Sequence, residues 1–190
     1  SNRLAELAHH LHLSTPGGGT ERGVEYARRA GDDAMVRLAY EDAARLYEMA
    51  LQQLNFVEDA ESGLRCELLL RLGDARSRAG DLAAARETLA DAADLAKRLG
   101  DAKRLARAAI GYGGWIEWMR AGADRRVIPL LDVFFWIIRR PPSPTHVQLM
   151  ARLACALRGS ADRERSEHLS RLAVNMARDL DDVRTLLYAL

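Results

Sequence analysis

Apolar residues recur along the whole chain at spacings of three and four positions, and no stretch alternates apolar and polar residues with a period of two. This periodicity is typical of amphipathic α-helices. Ala, Leu, Arg and Glu, which are strong helix formers, dominate the periodic stretches. The pattern therefore predicts an all-α chain with ten helices, at 2–13, 20–37, 40–54, 58–79, 82–98, 101–120, 124–138, 143–158, 162–179 and from 182 onward.

Short connections separate the predicted helices, and several of them end in an aspartate. An Asp side chain at the N-cap can accept a hydrogen bond from a free N–H group of the first helical turn. Four residues stand where such caps are expected: Asp81, Asp101, Asp124 and Asp162.

One segment of the chain repeats a pattern found earlier in it. Residues 96–108 and 177–189 share the order Ala, basic, x, Leu, x, Asp, x, basic, x, Leu, x, x, Ala, at an offset of 81 positions. This offset is about twice the period of known helix-pair repeats, so two helical hairpins fit between the copies. The match predicts a solenoid in which each hairpin buries its apolar face against its neighbours.

Two stretches resemble the tetratricopeptide repeat. One is the series Leu72-Gly73, Gly80-Asp81-Leu82, Ala85, Leu89 and Ala92. The other runs from Gly31 through Tyr40, Ala43 and Tyr47 to Ala50-Leu51, but it has Leu38 where the family has a turn glycine. The resemblance places Gly31 inside a helix, and the spacing of 42 between Gly31 and Gly73 is longer than the usual period of the family.

This resemblance implies the architecture of the whole chain. It implies a right-handed solenoid of antiparallel helix pairs. Residues 1–190 would form a single helical-repeat domain with about four pairs, a lead helix and a truncated last helix.

A further resemblance concerns the protein from which such a segment would come. Residues 7–11, 24–32 and 38–47 are similar to the start of the helical-repeat region in large ATP-binding regulators of the LuxR type and in related signalling ATPases and nucleotide cyclases, and residues 173–182 resemble their repeats. The chain opens with Ser-Asn and stops at Leu190 within a periodic pattern, so we expect a fragment of a longer protein. The resemblance implies a non-catalytic binding segment beside an ATPase and a DNA-binding module.

The tetratricopeptide resemblance also implies a binding surface on the concave face, for a protein partner or a small-molecule effector. If Gly114 takes the small-residue position of its repeat, Trp115 and Trp118 point toward that face. The alternative is that both tryptophans pack against the apolar segment 134–138, which is either buried or meets a partner. The same rule places further residues on the concave face: Arg28, Asp32, Met35, Glu67, Asp74 and Arg78.

A metal-binding bundle or an all-helical enzyme is the first alternative to this interpretation. Glu6, His9 and His12 form the densest group of potential ligands, and a Glu-x-x-His pair occurs in carboxylate-bridged metal bundles. Such sites need a second Glu-x-x-His pair, which Glu164 and His168, four positions apart, do not provide. We therefore expect no bound metal, no cofactor and an ordinary first helix. The second alternative to a binding segment is a purely structural spacer.

The sequence also lacks a convincing phosphate-binding loop or catalytic group. The glycines of residues 16–20 precede a helix, but no strand comes before them and no Lys-Ser/Thr follows, as a phosphate-binding loop requires. The pairs Asp32-Asp33 and Asp181-Asp182 lack a third carboxylate at helical spacing, and no Ser/His/Asp or Cys/His group is evident. We expect no catalytic residues.

The composition of the chain argues against two classes of binding partner, nucleic acids and anionic membranes. The chain of 190 residues carries 28 Lys and Arg against 27 Asp and Glu, a formal net charge of +1, whereas dedicated nucleic-acid or anionic-membrane binders need a basic excess. No apolar run approaches the ~20 residues of a membrane span. Cys66 and Cys155 lie inside apolar helical patterns in different hairpins. Reduced, unpaired thiols and a cytoplasmic location are therefore expected.

Overall fold

The computed structural model describes residues 21–57, 61–112, 142–157 and 162–190, and all regular secondary structure in these ranges is α-helical. The chain divides into two compact units, Ser1–Leu99 and Gly100–Leu190. None of the helices in the described ranges is long and apolar enough to cross a membrane. The helices predicted at 2–13 and 124–138 lie outside the described residues, and the single domain stays a prediction.

In its described residues, the first unit contains two helical hairpins that share one interface. Within each hairpin the two helices pack against each other, and the second helix packs on the third. The four helices are α1 (Glu21–Val36), α2 (Tyr40–Leu54), α3 (Ser62–Ala79) and α4 (Leu82–Arg98).

The same contact closes both hairpins of the first unit. Gly31 is buried within α1, and a Cβ atom added there would lie 2.6 Å from Cε1 of Tyr47 on α2. Gly73 is buried within α3, and a Cβ atom there would lie 2.5 Å from Cγ of Leu89 on α4. Tyr47 and Leu89 each follow their glycine by 16 positions, so the contact repeats with the period of 42. The expected position of Gly31 inside a helix is confirmed.

The turn between the helices of each hairpin depends on a left-handed residue. Gly80 has φ 90°, and Leu38, at the equivalent position 42 residues earlier, has φ 62°. In both turns the next residue donates a backbone hydrogen bond to the preceding helix, from Ala39 to Ala34 O at 3.0 Å and from Asp81 to Arg76 O at 3.0 Å. Leu38 therefore adopts the backbone of the glycine that it replaces, although its Cβ disfavours that conformation.

We expect Leu38→Gly to raise the free energy of unfolding by about 0.5–1 kcal/mol. A left-handed conformation costs an L-residue roughly 1–2 kcal/mol, and the greater chain entropy of glycine offsets part of that gain. Leu38 is 68% exposed, so little packing is lost. Thermal unfolding measures the effect, with Val36→Gly, at the exposed last residue of α1, as the control that should destabilise. A lower melting temperature for Leu38→Gly would contradict the assignment.

Arg76 on α3 ties the two hairpins together. Its Nη2 donates a hydrogen bond to Oε1 of Glu48 on α2 at 2.5 Å. Its Nη1 donates to Oγ1 of Thr88 and to Ala84 O on α4. One guanidinium group thus contacts the helices on both sides of α3.

The second unit is built around one apolar helix. Its helices in the described ranges are α5 (Ala102–Tyr112), α6 (Pro144–Leu157), α7 (Arg163–Asp179) and α8 (Val183–Ala189). α6 packs against α5, α7 and α8. It supplies most of the large side chains of the core: Val147, Leu149, Met150, Leu153 and Leu157.

The sequence match at an offset of 81 corresponds to a repeated turn. Gly100 has φ 65° and Asp181, 81 positions later, has φ 50°. In each copy the next residue caps the following helix: Asp101 Oδ1 accepts from Arg104 N at 3.0 Å, and Asp182 Oδ1 accepts from Arg184 N at 3.1 Å. The two matching segments therefore share a turn and a helix cap.

The expected helix caps have mixed outcomes. Asp81 is confirmed, because its Oδ1 accepts a hydrogen bond from Ala84 N at 3.2 Å, and Asp101 is confirmed as described above. Asp162 is confirmed as the N-cap residue of α7, although its side chain makes no cap hydrogen bond. Asp124 lies outside the described residues.

The predicted helix bounds agree with the described ones to within one residue, with one exception. The start predicted at 58 is wrong for α3, which begins at Ser62, because Glu61 has a non-helical backbone with φ −59° and ψ 119°. The end predicted at 120 for α5 lies outside the described residues. Cys66 is buried and Cys155 is half-buried, and neither forms a disulfide within the described residues.

Candidate functional site

Charged side chains occupy one face of α1 and one face of α3. Their spacings of three and four positions place the members from each helix side by side. Other positions of the same helices, such as Ala27 and Leu68, are fully buried in the core of the first unit. We call this surface the α1–α3 charged strip, and its members are Glu25, Arg28 and Asp32 on α1 and Glu67, Arg71, Asp74 and Arg78 on α3.

Asp32 joins three helices at one carboxylate. Its Oδ2 accepts a hydrogen bond from Nη1 of Arg28 on the same helix at 3.0 Å. Its Oδ1 accepts from the hydroxyl of Tyr47 on α2 at 2.7 Å and from Nη1 of Arg71 on α3. The Asp32 carboxylate therefore holds α1 against both α2 and α3.

Two further ion pairs flank Asp32. Arg28 donates from Nη2 and Nε to the two carboxylate oxygens of Glu25, at 2.7 and 2.9 Å. These hydrogen bonds lower the pKa of Glu25, so its carboxylate stays ionised to lower pH than an isolated one. On α3, Nε of Arg71 lies 3.1 Å from Oε1 of Glu67.

The C-terminal end of the strip has its own pair. Nε of Arg78 donates to Oδ1 of Asp74 at 3.1 Å. The Arg78 guanidinium also lies over the ring of Tyr40, at 5.8 Å from its centroid, which is a cation–π distance. This end of α3 is therefore linked to the first turn of α2.

The side chains of the strip remain within reach of a partner. They are between 20% exposed, for Glu67, and 53% exposed, for Asp74 and Arg78. Ion pairs near the surface contribute only about 0–1 kcal/mol each to stability. The ion pairs of the strip are therefore expected to contribute little to the stability of the fold.

Most of the described residues that the sequence predicted for a binding face lie in the α1–α3 charged strip. Arg28 pairs directly with Asp32, Asp74 pairs with Arg78, and Glu67 reaches Asp32 through Arg71. Met35 is separate from these pairs, because its half-buried side chain packs against the core of the first unit. Trp115 and Trp118 lie outside the described residues.

Sequence reasoning missed part of this site. Glu25 precedes Arg28 by three positions and Arg71 follows Glu67 by four, spacings that predict ion pairs on a helix surface. These two residues could therefore have been found. The contacts of Asp32 with Tyr47 and Arg71 join different helices, and no local spacing indicates them.

Burial raises the pKa of Tyr47, and the hydrogen bond to Asp32 raises it further. The unfolded chain loses this proton near the ordinary pKa of 10.0 while the folded chain keeps it, so stability falls as the pH rises above that value. We expect the loss of melting temperature between pH 9 and pH 11 to be smaller in Tyr47→Phe than in the unchanged protein. Equal losses in both proteins would show that Tyr47 does not resist ionisation.

Among the residues that the structure describes, no group of three or more His, Cys, Asp or Glu side chains could hold a metal ion. Asp182, one of the acidic pair considered for magnesium chemistry, also accepts a hydrogen bond from the Thr185 hydroxyl. Glu6, His9, His12 and residues 16–20 lie outside the described ranges. The described site consists of ion pairs, hydrogen bonds and one aromatic contact, all of them suited to recognition.

The comparison with solved structures finds chains with a similar helical fold. No family model and no curated protein matches the sequence. A kinesin light chain from Podosopora anserina with nearly identical TPR-like repeats covers 94% of this chain and 86% of its own, with a TM-score of 0.67 and 14% identity. BtubC (BKLC) from P. vanneervenii covers 99% of this chain and 78% of its own, with a TM-score of 0.65 and 15% identity.

The chain has a tetratricopeptide-like fold. The expected fold class, an all-α array of helix pairs, is therefore confirmed. At 14–15% identity, the likeness concerns the fold alone. In this tetratricopeptide-like fold, α1 and α3 are the first helices of two successive pairs, and the charged strip runs across both of them.

Proposed function

We propose that this chain is a non-catalytic protein-interaction module, and that its α1–α3 charged strip recognises charged side chains of a partner polypeptide. One observation carries the proposal. Five of the seven charged side chains, from two successive helix pairs, form one linked group through the contact between Asp32 and Arg71, and the pair of Asp74 and Arg78 continues the same face along α3. Every one of them is at least 20% exposed, so a partner can reach them.

Charge of both signs suits specific recognition better than general attraction. The strip carries four carboxylates and three guanidinium groups, so it attracts neither polyanions nor polycations strongly. Complementary charge across an interface sets partner choice and association rate more than it sets affinity. A partner segment that places acidic and basic side chains opposite the strip would extend its ion pairs rather than break them.

A display library of random peptides, selected on the unchanged protein, tests this proposal. We expect Arg71→Ala to weaken binding of the selected peptides by at least tenfold and higher salt to weaken it further. Arg45→Ala is the matched control, because Arg45 pairs with Asp42 on the exposed surface of α2, outside the strip. Arg78→Ala, at a more exposed position of the strip, should weaken binding while lowering the melting temperature by less than about 4 °C. Peptides that bind all three variants equally would refute the site.

Trp115 and Trp118 are proposed as the aromatic part of the same binding function. On the helix that the sequence predicts at 101–120, their spacing of three would place both indoles on one side, and tryptophan is enriched among the residues that dominate binding energy. The same library peptides should lose about 2 kcal/mol of binding to Trp115→Ala or Trp118→Ala. A large loss of stability, with blue-shifted and unquenchable emission in the free protein, would instead place the pair in a core.

A structural spacer is the second candidate function, and one observation favours it. The charged groups around Asp32 already pair with one another, so the strip needs no partner to satisfy them. A library selection that yields no peptide dependent on Arg71 or on the tryptophans would support the spacer.

We further propose that the module is part of a multidomain regulator of the LuxR type. The similarity of residues 7–11, 24–32, 38–47 and 173–182 to the repeat regions of those proteins supports this context. Partner or effector binding would then favour one curvature of the array and bias a neighbouring ATPase or DNA-binding module. The sequence of the complete reading frame tests this proposal. A nucleotide-binding loop upstream and a helix-turn-helix downstream would support a LuxR-type regulator, whereas a cyclase domain upstream would indicate a nucleotide cyclase instead.

A further inference from the structure

Tyr47 lies in the core of the first unit, yet its hydroxyl reaches the charged surface. The residue is 1% exposed, and its ring packs against Gly31, where a Cβ atom would lie 2.6 Å from Cε1. Because Gly31 has no side chain, the ring can lie close to α1, and its hydroxyl donates to Oδ1 of Asp32 at 2.7 Å. A core residue of α2 therefore contacts the α1–α3 charged strip through one polar atom.

The same oxygen of Asp32 holds Arg71. Nη1 of Arg71 donates a hydrogen bond to Oδ1 of Asp32. Nε of Arg71 is buried and finds no hydrogen-bond acceptor among the described residues, although it lies 3.1 Å from Oε1 of Glu67. The orientation of the guanidinium group therefore depends on its contact with Asp32. Since Tyr47 donates to that oxygen as well, its hydroxyl restricts where the carboxylate, and hence the guanidinium group, can lie.

The second hairpin contains the matching carboxylate without the hydroxyl. Asp74 is the equivalent of Asp32 at the repeat offset of 42, and Leu89 is the equivalent of Tyr47. Asp74 accepts a hydrogen bond from Nε of Arg78 on its own helix. Its side chain is 53% exposed, against 33% for Asp32. The carboxylate at this position is thus more exposed in the hairpin that has no tyrosine hydroxyl to hold it.

We propose that Tyr47 is a positioning residue of the α1–α3 charged strip: its hydroxyl fixes the Asp32 carboxylate, which presents the Arg71 guanidinium to the partner in one orientation. This inference rests on the proposed binding function. A side chain that is ordered before binding loses less conformational entropy when the partner binds. The donors of a guanidinium group form a rigid, planar fork, so its orientation also decides which acceptor groups of a partner it can meet.

Tyr47→Phe removes the hydroxyl and keeps the ring, so its effect on binding tests the inference. Peptides selected from the random library are labelled, and their binding to the 190-residue variants is measured by fluorescence anisotropy well below the melting temperature. We expect Tyr47→Phe to weaken binding by about fivefold or more. The matched control is Ser166→Ala, which also removes one buried hydroxyl hydrogen bond, to Ala154 O in the second unit, and should leave binding unchanged.

A double-mutant cycle shows whether the hydroxyl acts through Arg71. Once Arg71→Ala has removed the guanidinium group, Tyr47→Phe should weaken binding by less than about a further twofold. The Nε–H signal of Arg71 in a nitrogen–proton NMR spectrum, identified by its loss in Arg71→Lys, gives a second readout in the free protein. We expect Tyr47→Phe to shift or broaden this signal and Ser166→Ala to leave it in place.

The outcomes separate this inference from the function on which it rests. If Arg71→Ala weakens binding as expected but Tyr47→Phe does not, the strip binds its partner without help from the hydroxyl, and the inference alone is overturned. It is also overturned if Tyr47→Phe weakens binding equally with and without Arg71, if the Arg71 signal does not change, or if Ser166→Ala weakens binding as much. If no selected peptide depends on Arg71, the site and the inference are both wrong.

Discussion

Gly73→Leu is expected to lower the free energy of unfolding by about 3 kcal/mol or more. Even a Cβ atom at this position would lie 2.5 Å from Cγ and 2.6 Å from Cδ2 of Leu89, closer than carbon atoms can approach. The rest of a leucine side chain has no space between α3 and α4, so the hairpin must separate. In a chain of this size we expect the melting temperature to fall by about 6 °C or more.

Two further variants isolate the cause of this effect. Ala83→Leu introduces the same residue at an exposed position of α4 and should change stability little. Leu89→Ala in the Gly73→Leu background removes the side chain that clashes and should restore part of the loss. A melting temperature of Gly73→Leu within a degree or two of the unchanged protein would show that the contact between Gly73 and Leu89 does not exist.

Tyr47→Ala is the second substitution with a large expected effect, a loss of about 3–5 kcal/mol. Tyr47 is 1% exposed, and its ring lies against Gly31 in the core between α1 and α2. Removing the ring leaves a cavity beside the glycine, which has no side chain to fill it. It also removes the hydroxyl that donates to Asp32. Chemical denaturation monitored by circular dichroism measures the loss.

Tyr47→Phe separates the ring from its hydroxyl. The phenylalanine ring keeps the packing on Gly31, so only the hydrogen bond to Asp32 is lost, at a cost of about 1 kcal/mol. The difference between the two variants measures the packing of the ring. Equal losses in Tyr47→Ala and Tyr47→Phe would mean that the hydrogen bond dominates and that the hairpin does not depend on the contact with Gly31.

These two substitutions probe successive copies of one repeat and so test its register. Gly31 with Tyr47 and Gly73 with Leu89 occupy equivalent positions, yet one copy uses an aromatic ring and the other an aliphatic side chain. Only the aromatic copy carries a hydroxyl that can reach the charged strip. The first hairpin therefore connects the packing of its core to the candidate binding surface, through Tyr47 and Asp32.

The sequence alone was sufficient for the local structure of this protein. Hydrophobic periodicity predicts nearly every described helix end to within one residue, because burial of an apolar face is a property of consecutive turns. The glycine contacts and the match at an offset of 81 could also be predicted from the sequence, since they depend on residue types at regular spacing. The ion pairs from Glu25 to Arg28 and from Glu67 to Arg71 belong to the same class of local information.

Only the tertiary structure decided the features that join different helices. Asp32 gathers donors from three helices, and no spacing along the chain indicates which arginine and which tyrosine reach it. Met35 has the helical position of a binding-face residue, but its half-buried side chain packs against the core of the first unit. Val183 and Leu187 on α8 have the spacing of an apolar helix face and are exposed. Periodicity shows that a face is apolar, whereas contact with another helix depends on how the helices pack in three dimensions.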